Sequence, residues 1–348
     1  MPSVTTIDAH SEQRSHAGYT VACICPMGVE LAAVEGMLDQ IHDSLPSNRT
    51  QNAYTLGRIA GHNIVVAAMP QIGNNAAATV ATQLLNDFPS IRFGLLVGIG
   101  GGIPGKKGKD DVRLGDVVVS QPSGTFGGVV QYDMGKVTYR GRFEQGGVLP
   151  KPPPILSANV ERLISKHLRE GSRMTDYIAS MLLKYPTMTT EYSYPGNKHD
   201  RLFKASYRHA GGPTCNKCDL SQQVLRTIRY GFLGPDKPRV HYGTIASGNA
   251  VIKDSSTRDR LRRDFNAICV EMEAAGVMDT ILPCLVIRGI CDYADSHKNK
   301  RWQPYAAATA AAYAKELLTM IPAADIQKAD PVTVNDFGSI SEASSNSM

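Results

Sequence analysis

Between Val270 and Asp295 the chain reads VEMEAAGVMDTILPCLVIRGICDYAD, and no other stretch restricts the fold as much. Ile268-Cys269-Val270 closes one apolar run, Cys284 to Cys291 forms a second, and Ala274 to Ile281 between them reads as a helix. Two buried runs linked by a helix predict parallel strands with a crossover, and so an α/β architecture. Such sheets bind ligands at the carboxyl ends of their strands. Glu273 and Asp292 stand at those ends, so their carboxylates are expected to converge on one rim.

The remaining pattern fits the same class. Tyr19 to Cys25, Tyr54 to Ile59, Asn63 to Met69, Phe93 to Val97, Leu114 to Ser120 and Val240 to Ser247 read as strands. Leu31 to Ile41, Ala76 to Phe88, Leu156 to Arg169, Thr175 to Lys184, Asp254 to Phe265 and Tyr305 to Met320 read as helices. Glu30 falls near a helix N-terminus, where the dipole favours a carboxylate. Residues 1–18 and 323–348 are polar and aperiodic, and are read as a disordered start and a disordered tail or linker.

Composition excludes several classes. A net charge of +5 is too small to argue for nucleic acid, although it tolerates an anionic ligand. No apolar run reaches the ~18 residues a membrane span needs, and no signal-peptide pattern opens the chain. Of seven cysteines, Cys23, Cys25, Cys269, Cys284 and Cys291 lie inside apolar strands, which points to a reducing, cytoplasmic setting.

Two motifs carry weaker signals. Gly98-Ile99-Gly100-Gly101-Gly102-Ile103-Pro104-Gly105 reads as a glycine-rich turn after a strand, able to bring backbone N–H groups close to an oxyanion or sugar. It lacks the Gly-Lys-Ser/Thr of a P-loop, and no helix follows as in a dinucleotide fingerprint. Lys106, Lys107 and Lys109 just beyond it are taken as a solvated loop that could meet a phosphate tail. His209-x5-Cys215-x2-Cys218 has zinc-ligand chemistry, but a closed site needs a fourth ligand, for which His199 and His241 are the candidates. Packed thiols are the simpler reading, so neither a metal nor a cofactor is assigned.

Six segments in order, ICPMGVEL, the Ala-rich helix after Ile72-Gly73, VGIGGGI, LGDVVVS, SGNAVI and VEMEAA…CDYAD, resemble the superfamily of purine and uridine phosphorylases and methylthioadenosine/adenosylhomocysteine nucleosidases. The chain as a whole is most similar to the nucleosidase-like domain that opens fungal multidomain receptors. The resemblance implies one nucleoside-phosphorylase-like domain over residues 19–322, with a mixed central sheet flanked by helices and a large insertion at about 136–239. It also implies a homo-oligomer. By matching position it makes Glu30 the group that activates water and Asp292 the acid that protonates purine N7. Glu273 would hold the ribose hydroxyls and Met272 would pack on the sugar. Glu271, Gly100, Gly101, Asn249, Val251, Ile252 and Ala294 would complete substrate binding. Asn249 stands for the family's usual Asp, Ile99 for a common Ser near the water, and no aromatic accompanies Val251.

Elementary chemistry agrees with this division of labour. Breaking an N-glycosidic bond needs an acid on the base side and a nucleophile on the opposite face of the sugar, and two carboxyl groups can share that work. A raised pKa in the apolar setting of Ile290 and Cys291 would let Asp292 serve as acid. A phosphorylase would instead hold its anionic nucleophile with arginine. Glu30 occupies one arginine position of such enzymes, and Arg92 lies too far upstream of the strand end. The expected activity is therefore hydrolysis of a purine nucleoside or nucleotide, ATP included, with basic residues Arg140, Arg142 and Lys151 favouring a phosphate. The alternatives are a phosphate-dependent phosphorylase and a catalytically silent binding module.

Overall fold

A computed structural model describes residues 14–46, 52–105, 110–226, 229 and 237–332. The strands in chain order are β1 (Val21–Cys25), β2 (Gln40–Ile41), β3 (Ala53–Ile59), β4 (His62–Ala68), β5 (Phe93–Gly102), β6 (Val117–Ser120), β7 (Val129–Gln131), β8 (Gly135–Val137), β9 (Phe143–Gln145), β10 (Val240–Ser247), β11 (Ala267–Glu271) and β12 (Cys284–Asp292). The helices are α1 (Gly28–Met37), α2 (Asn74–Asp87), α3 (Pro154–Glu170), α4 (Met174–Lys184), α5 (Thr189–Tyr192), α6 (Ser255–Phe265), α7 (Ala274–Met278), α8 (Gln303–Thr319) and α9 (Ala323–Lys328).

One mixed sheet runs β11-β10-β6-β12-β5-β1-β4-β3-β2, with β7 added beside β10. A further pairing of β11 with β5 closes β5, β12, β6, β10 and β11 into a ring. Successive side chains of a strand alternate between its two faces, and the core divides accordingly. Val21, Cys23 and Cys25 of β1 pack with α1, α3, α4 and α8, whereas Ala22 and Ile24 pack against α2 and α7. Every residue of β1, β5, β11 and β12 is buried, as expected for strands covered on both sides.

The structure departs from the sequence reading in four places. First, β11 and β12 are not parallel neighbours. β12 runs parallel to β5 while β11 runs antiparallel to it, so the two run opposite ways. Their carboxyl ends still meet, because Val270 and Asp292 both register with Gly101 of the long β5. Second, Gly98, Gly100, Gly101 and Gly102 lie inside β5 rather than in a turn after it. Their missing side chains make room for neighbours. A Cβ on Gly98 would collide with Arg288 Nη1 and Glu30 Oε1. Third, the stretch read as a tail begins with α9, whose Ile326 is fully buried in the main core. Fourth, Leu38 to Ile41 leaves the helix to form β2, which pairs with β3.

The segment at 136–239 does not form a body apart from the core. Leu156, Leu163, Met174 and Met181 of α3 and α4 belong to the same apolar cluster as α8. Arg229 grips Asp116, at the entrance to β6, through both guanidinium nitrogens. His241 Nε2 lies 2.8 Å from the same carboxylate. Burial works against the Asp116 charge, but the hydrogen bonds from His241 and Arg229 outweigh it and hold the carboxyl well below its usual range. Among the described residues, no helix is long and apolar enough to cross a membrane.

Candidate active site

A cleft of about 170 Å³ opens at the carboxyl ends of β1, β5 and β11. Glu30, Met272, Glu273, Gly100, Gly101, Val251 and Ile252 all line it, joined by Glu271 and Ile99. Residues far apart in sequence thus arrive together in one cleft. Asn249 and Ala294 do not line it. Asn249 Oδ1 accepts from the Asn74 N–H at 3.0 Å, and the Ala294 N–H donates to Asp292 Oδ1 at 2.8 Å. Both therefore position neighbours. Arg140, Arg142, Lys151 and Arg92 are likewise absent from the lining, and the Lys106–Lys109 loop lies outside the described residues.

Glu30 is held from both sides. Its Oε1 accepts from the Ile99 N–H at 2.7 Å and its Oε2 from the Met27 N–H at 2.6 Å. The Met27 contact closes the first turn of α1, so the folding signal at the helix start is also what aims the carboxyl group. Burial pushes Glu30 up to about 8, with Arg288 and the two backbone N–H groups opposing. A carboxyl group poised near neutral pH is suited to general base work.

Sequence reasoning missed the residue at the centre of this site. Arg288, on β12, is fully buried and pairs with Glu271 Oε2. It also reaches Glu273 Oε2 at 3.2 Å and Glu30 Oε1 at 3.9 Å. Burial alone would lower its pKa, but the three glutamates outweigh burial and raise it. An arginine inside the apolar run CLVIRGICD was the available signal, since a buried guanidinium requires carboxylate partners. Around this hub Glu271 Oε2 accepts from the N–H groups of Glu273 (3.0 Å) and Ala274 (2.9 Å), fixing the start of α7. Glu273 Oε1 accepts from the Gly73 N–H at 3.2 Å. Gly276 permits this by letting α7 press against the backbone of Asn74, where any Cβ would clash.

Asp292 does not line the cleft, although Cys291 and Lys298 do; it lines the neighbouring cavity, which shares Cys291 with the cleft. Lys298 Nζ lies 3.0 Å from Asp292 Oδ2, and Cys291 Sγ lies 3.2 Å from the same oxygen. This ion pair was not foreseen, because the sequence reading gave Asp292 only apolar neighbours. Burial works against the Lys298 charge, but Asp292 and Cys291 more than compensate, and its pKa is raised.

With this geometry in view, the family model of the phosphorylase superfamily matches residues 20–319. A nucleotide-binding leucine-rich repeat (NLR)-like protein of Hyaloscypha variabilis is 43% identical over 305 residues, which are 87% of this chain and 29% of that protein. A 5'-methylthioadenosine/S-adenosylhomocysteine nucleosidase of Mycobacterium tuberculosis is 26% identical over 87% of this chain and 97% of its own length. ATP nucleosidase Cap17 of Escherichia coli is 26% identical over 84% of this chain and 49% of its length. The chain therefore spans under a third of the NLR-like relative and about half of the ATP nucleosidase.

Proposed function

This chain belongs to the phosphorylase superfamily, and on that premise we propose that it hydrolyses the N-glycosidic bond of a purine nucleoside or nucleotide. The observation that carries the choice of water over phosphate is the charge in the cleft. Glu30, Glu271 and Glu273 face it, and the arginine nearest them, Arg288, is fully buried and already shared among all three. A phosphate dianion placed there would find no free arginine fork to receive it, because Arg288 is already committed to the glutamates. Water needs no such fork. In this reading Glu30, held by Met27 and Ile99, takes the proton from water. Glu273 binds the sugar hydroxyls, and Met272 packs on the ring. The base rests near Val251 and Ile252. Asp292 delivers the proton to purine N7, receiving it in turn from the Lys298 ammonium beside it, which is left as a neutral amine.

The Cap17 relative, an ATP nucleosidase, supports extending the substrate class to nucleotides. Among the described residues that line the cleft, Lys298 is the one cation. The test is chromatography of products from adenosine, inosine, methylthioadenosine and ATP, each with and without phosphate. Free base without phosphate is the expected result. Strict phosphate dependence would refute hydrolysis, and no base under any condition would favour a binding module.

A further inference from the structure

His209, Cys215 and Cys218 lie in the segment at 136–239, away from the glutamates of the cleft. One donor atom from each comes within 4.8 Å of the other two. Tetrahedral zinc with bonds of about 2.3 Å to sulfur and about 2.0 Å to nitrogen separates its ligands by a little under 4 Å, so small side-chain shifts would close the set. A single 3-10 turn at Cys215–Lys217 brings the two thiols together, and the Cys218 N–H donates to the Cys215 carbonyl at 3.2 Å. His209 Nε2 lies 3.2 Å from the Thr214 carbonyl, a backbone acceptor of the kind that orients a metal-bound imidazole. The Gly211 N–H approaches Nδ1 at 3.1 Å, the contact a cation would replace.

A second observation concerns His297, in the loop after β12. It is 6% exposed, and neither ring nitrogen has a hydrogen-bond partner. Its Nδ1 is 3.6 Å from Asp295 Oδ1, too long for a hydrogen bond. The ring stacks on Phe203 at 4.1 Å and lies 5.4 Å from the ring of His209, and Cys215 Sγ reaches its carbonyl at 3.7 Å. Leaving a buried imidazole without partners is costly, and a cation beside it would remove that cost. Neither His199 nor His241 can fill this place. His199 Nε2 is 3.0 Å from Arg301 Nη1, and His241 is committed to Asp116.

We propose that Cys215, Cys218, His209 and His297 bind one zinc ion that ties the 136–239 segment to the loop after β12. Two thiol protons leave for solvent as two sulfur–zinc bonds form, and two neutral imidazoles complete the tetrahedron. A zinc ion would displace the two thiol protons. The tie has a consequence for the cleft, because His297 adjoins Lys298, the partner of Asp292.

The experiment uses the full, reduced chain. Elemental analysis is expected to find about one zinc per chain, consistent with a closed four-ligand site. Cobalt(II) exchanged into the site should give the intense visible bands of tetrahedral coordination and a near-ultraviolet thiolate charge-transfer band. Cys215→Ser and Cys218→Ser should each weaken the charge-transfer band. His297→Gln should keep that band and lose the tetrahedral intensity. A measurement independent of folding variants is thiol titration of the unmutated chain, where chelation should expose two further reactive thiols. Failure to take up either metal, a cobalt spectrum without thiolate character, or a Cys215–Cys218 disulfide in protein purified without oxidant would overturn the proposal.

Discussion

Replacing Glu30 by Gln separates the electrostatic cost of this site from its chemistry. Burial raises the Glu30 carboxyl from its ordinary 4.5 to about 8. The folded protein therefore holds this proton more tightly than the unfolded chain does. Stability from this group is complete below about pH 4.5 and is lost as pH rises toward and through about 8. With 1.36 kcal/mol per pKa unit, the two values predict a loss of about 4 kcal/mol between pH 5 and pH 9. Water entering the open cleft lowers that figure, so about 4 kcal/mol is a ceiling. Gln cannot ionise, so Glu30→Gln should abolish this slope. It also adds a pH-independent penalty, because its NH₂ group must face either the Met27 or the Ile99 N–H, where Glu30 offered two acceptors. That penalty is about 1–3 kcal/mol. Urea unfolding of both proteins across this pH range measures the difference directly. The variant should be the less stable below pH 5 and should gain on the native chain as pH rises. Its turnover should fall by about 10²–10⁴, the usual contribution of a positioned base. A stability difference that does not change with pH would refute the burial argument, and undiminished turnover would refute the assignment of Glu30 as base.

Three other outcomes follow from the same contacts. Asp292→Asn should remove turnover while the melting temperature holds within a few degrees, because the Lys298 side chain still reaches water; surviving activity would show that Asp292 is not the acid. Arg288→Met should cost about 3–5 kcal/mol in urea unfolding, since it strips Glu271, Glu273 and Glu30 of their shared cation. A loss below about 1 kcal/mol would show that Arg288 does not hold this cluster together. Gly98→Ala should cost about 1–3 kcal/mol and lower activity, because its methyl group would enter the space of Arg288 Nη1 and Glu30 Oε1. An unchanged melting curve and full turnover would refute that packing.

Much of this molecule was legible in one dimension because its elements follow local rules. Apolar runs such as YTVACIC and CLVIRGIC mark buried strands wherever they end up, and the helices α2, α3, α4, α6 and α8 fall within a few residues of their expected places. Carboxylates near strand ends were legible for the same reason, since Glu30, Glu273 and Asp292 each stand within a few residues of the end of a run that must be buried. Strand direction was not. A hydrophobic run carries no mark of whether its neighbour runs up or down, so β11 and β12 were read as parallel when β5 holds them in opposite senses. The glycines of β5 read as a turn because their function is to leave space, and the side chains that fill it come chiefly from β11, β12 and α1. Arg288, Lys298 and His297 acquire meaning only from partners brought close by the fold. Sequence determined which segments are buried and which carboxyl groups stand at their ends. Tertiary structure alone decided which cation each carboxylate meets, because that depends on distances of a few ångströms between residues as far apart in sequence as Glu30 and Arg288, 258 positions.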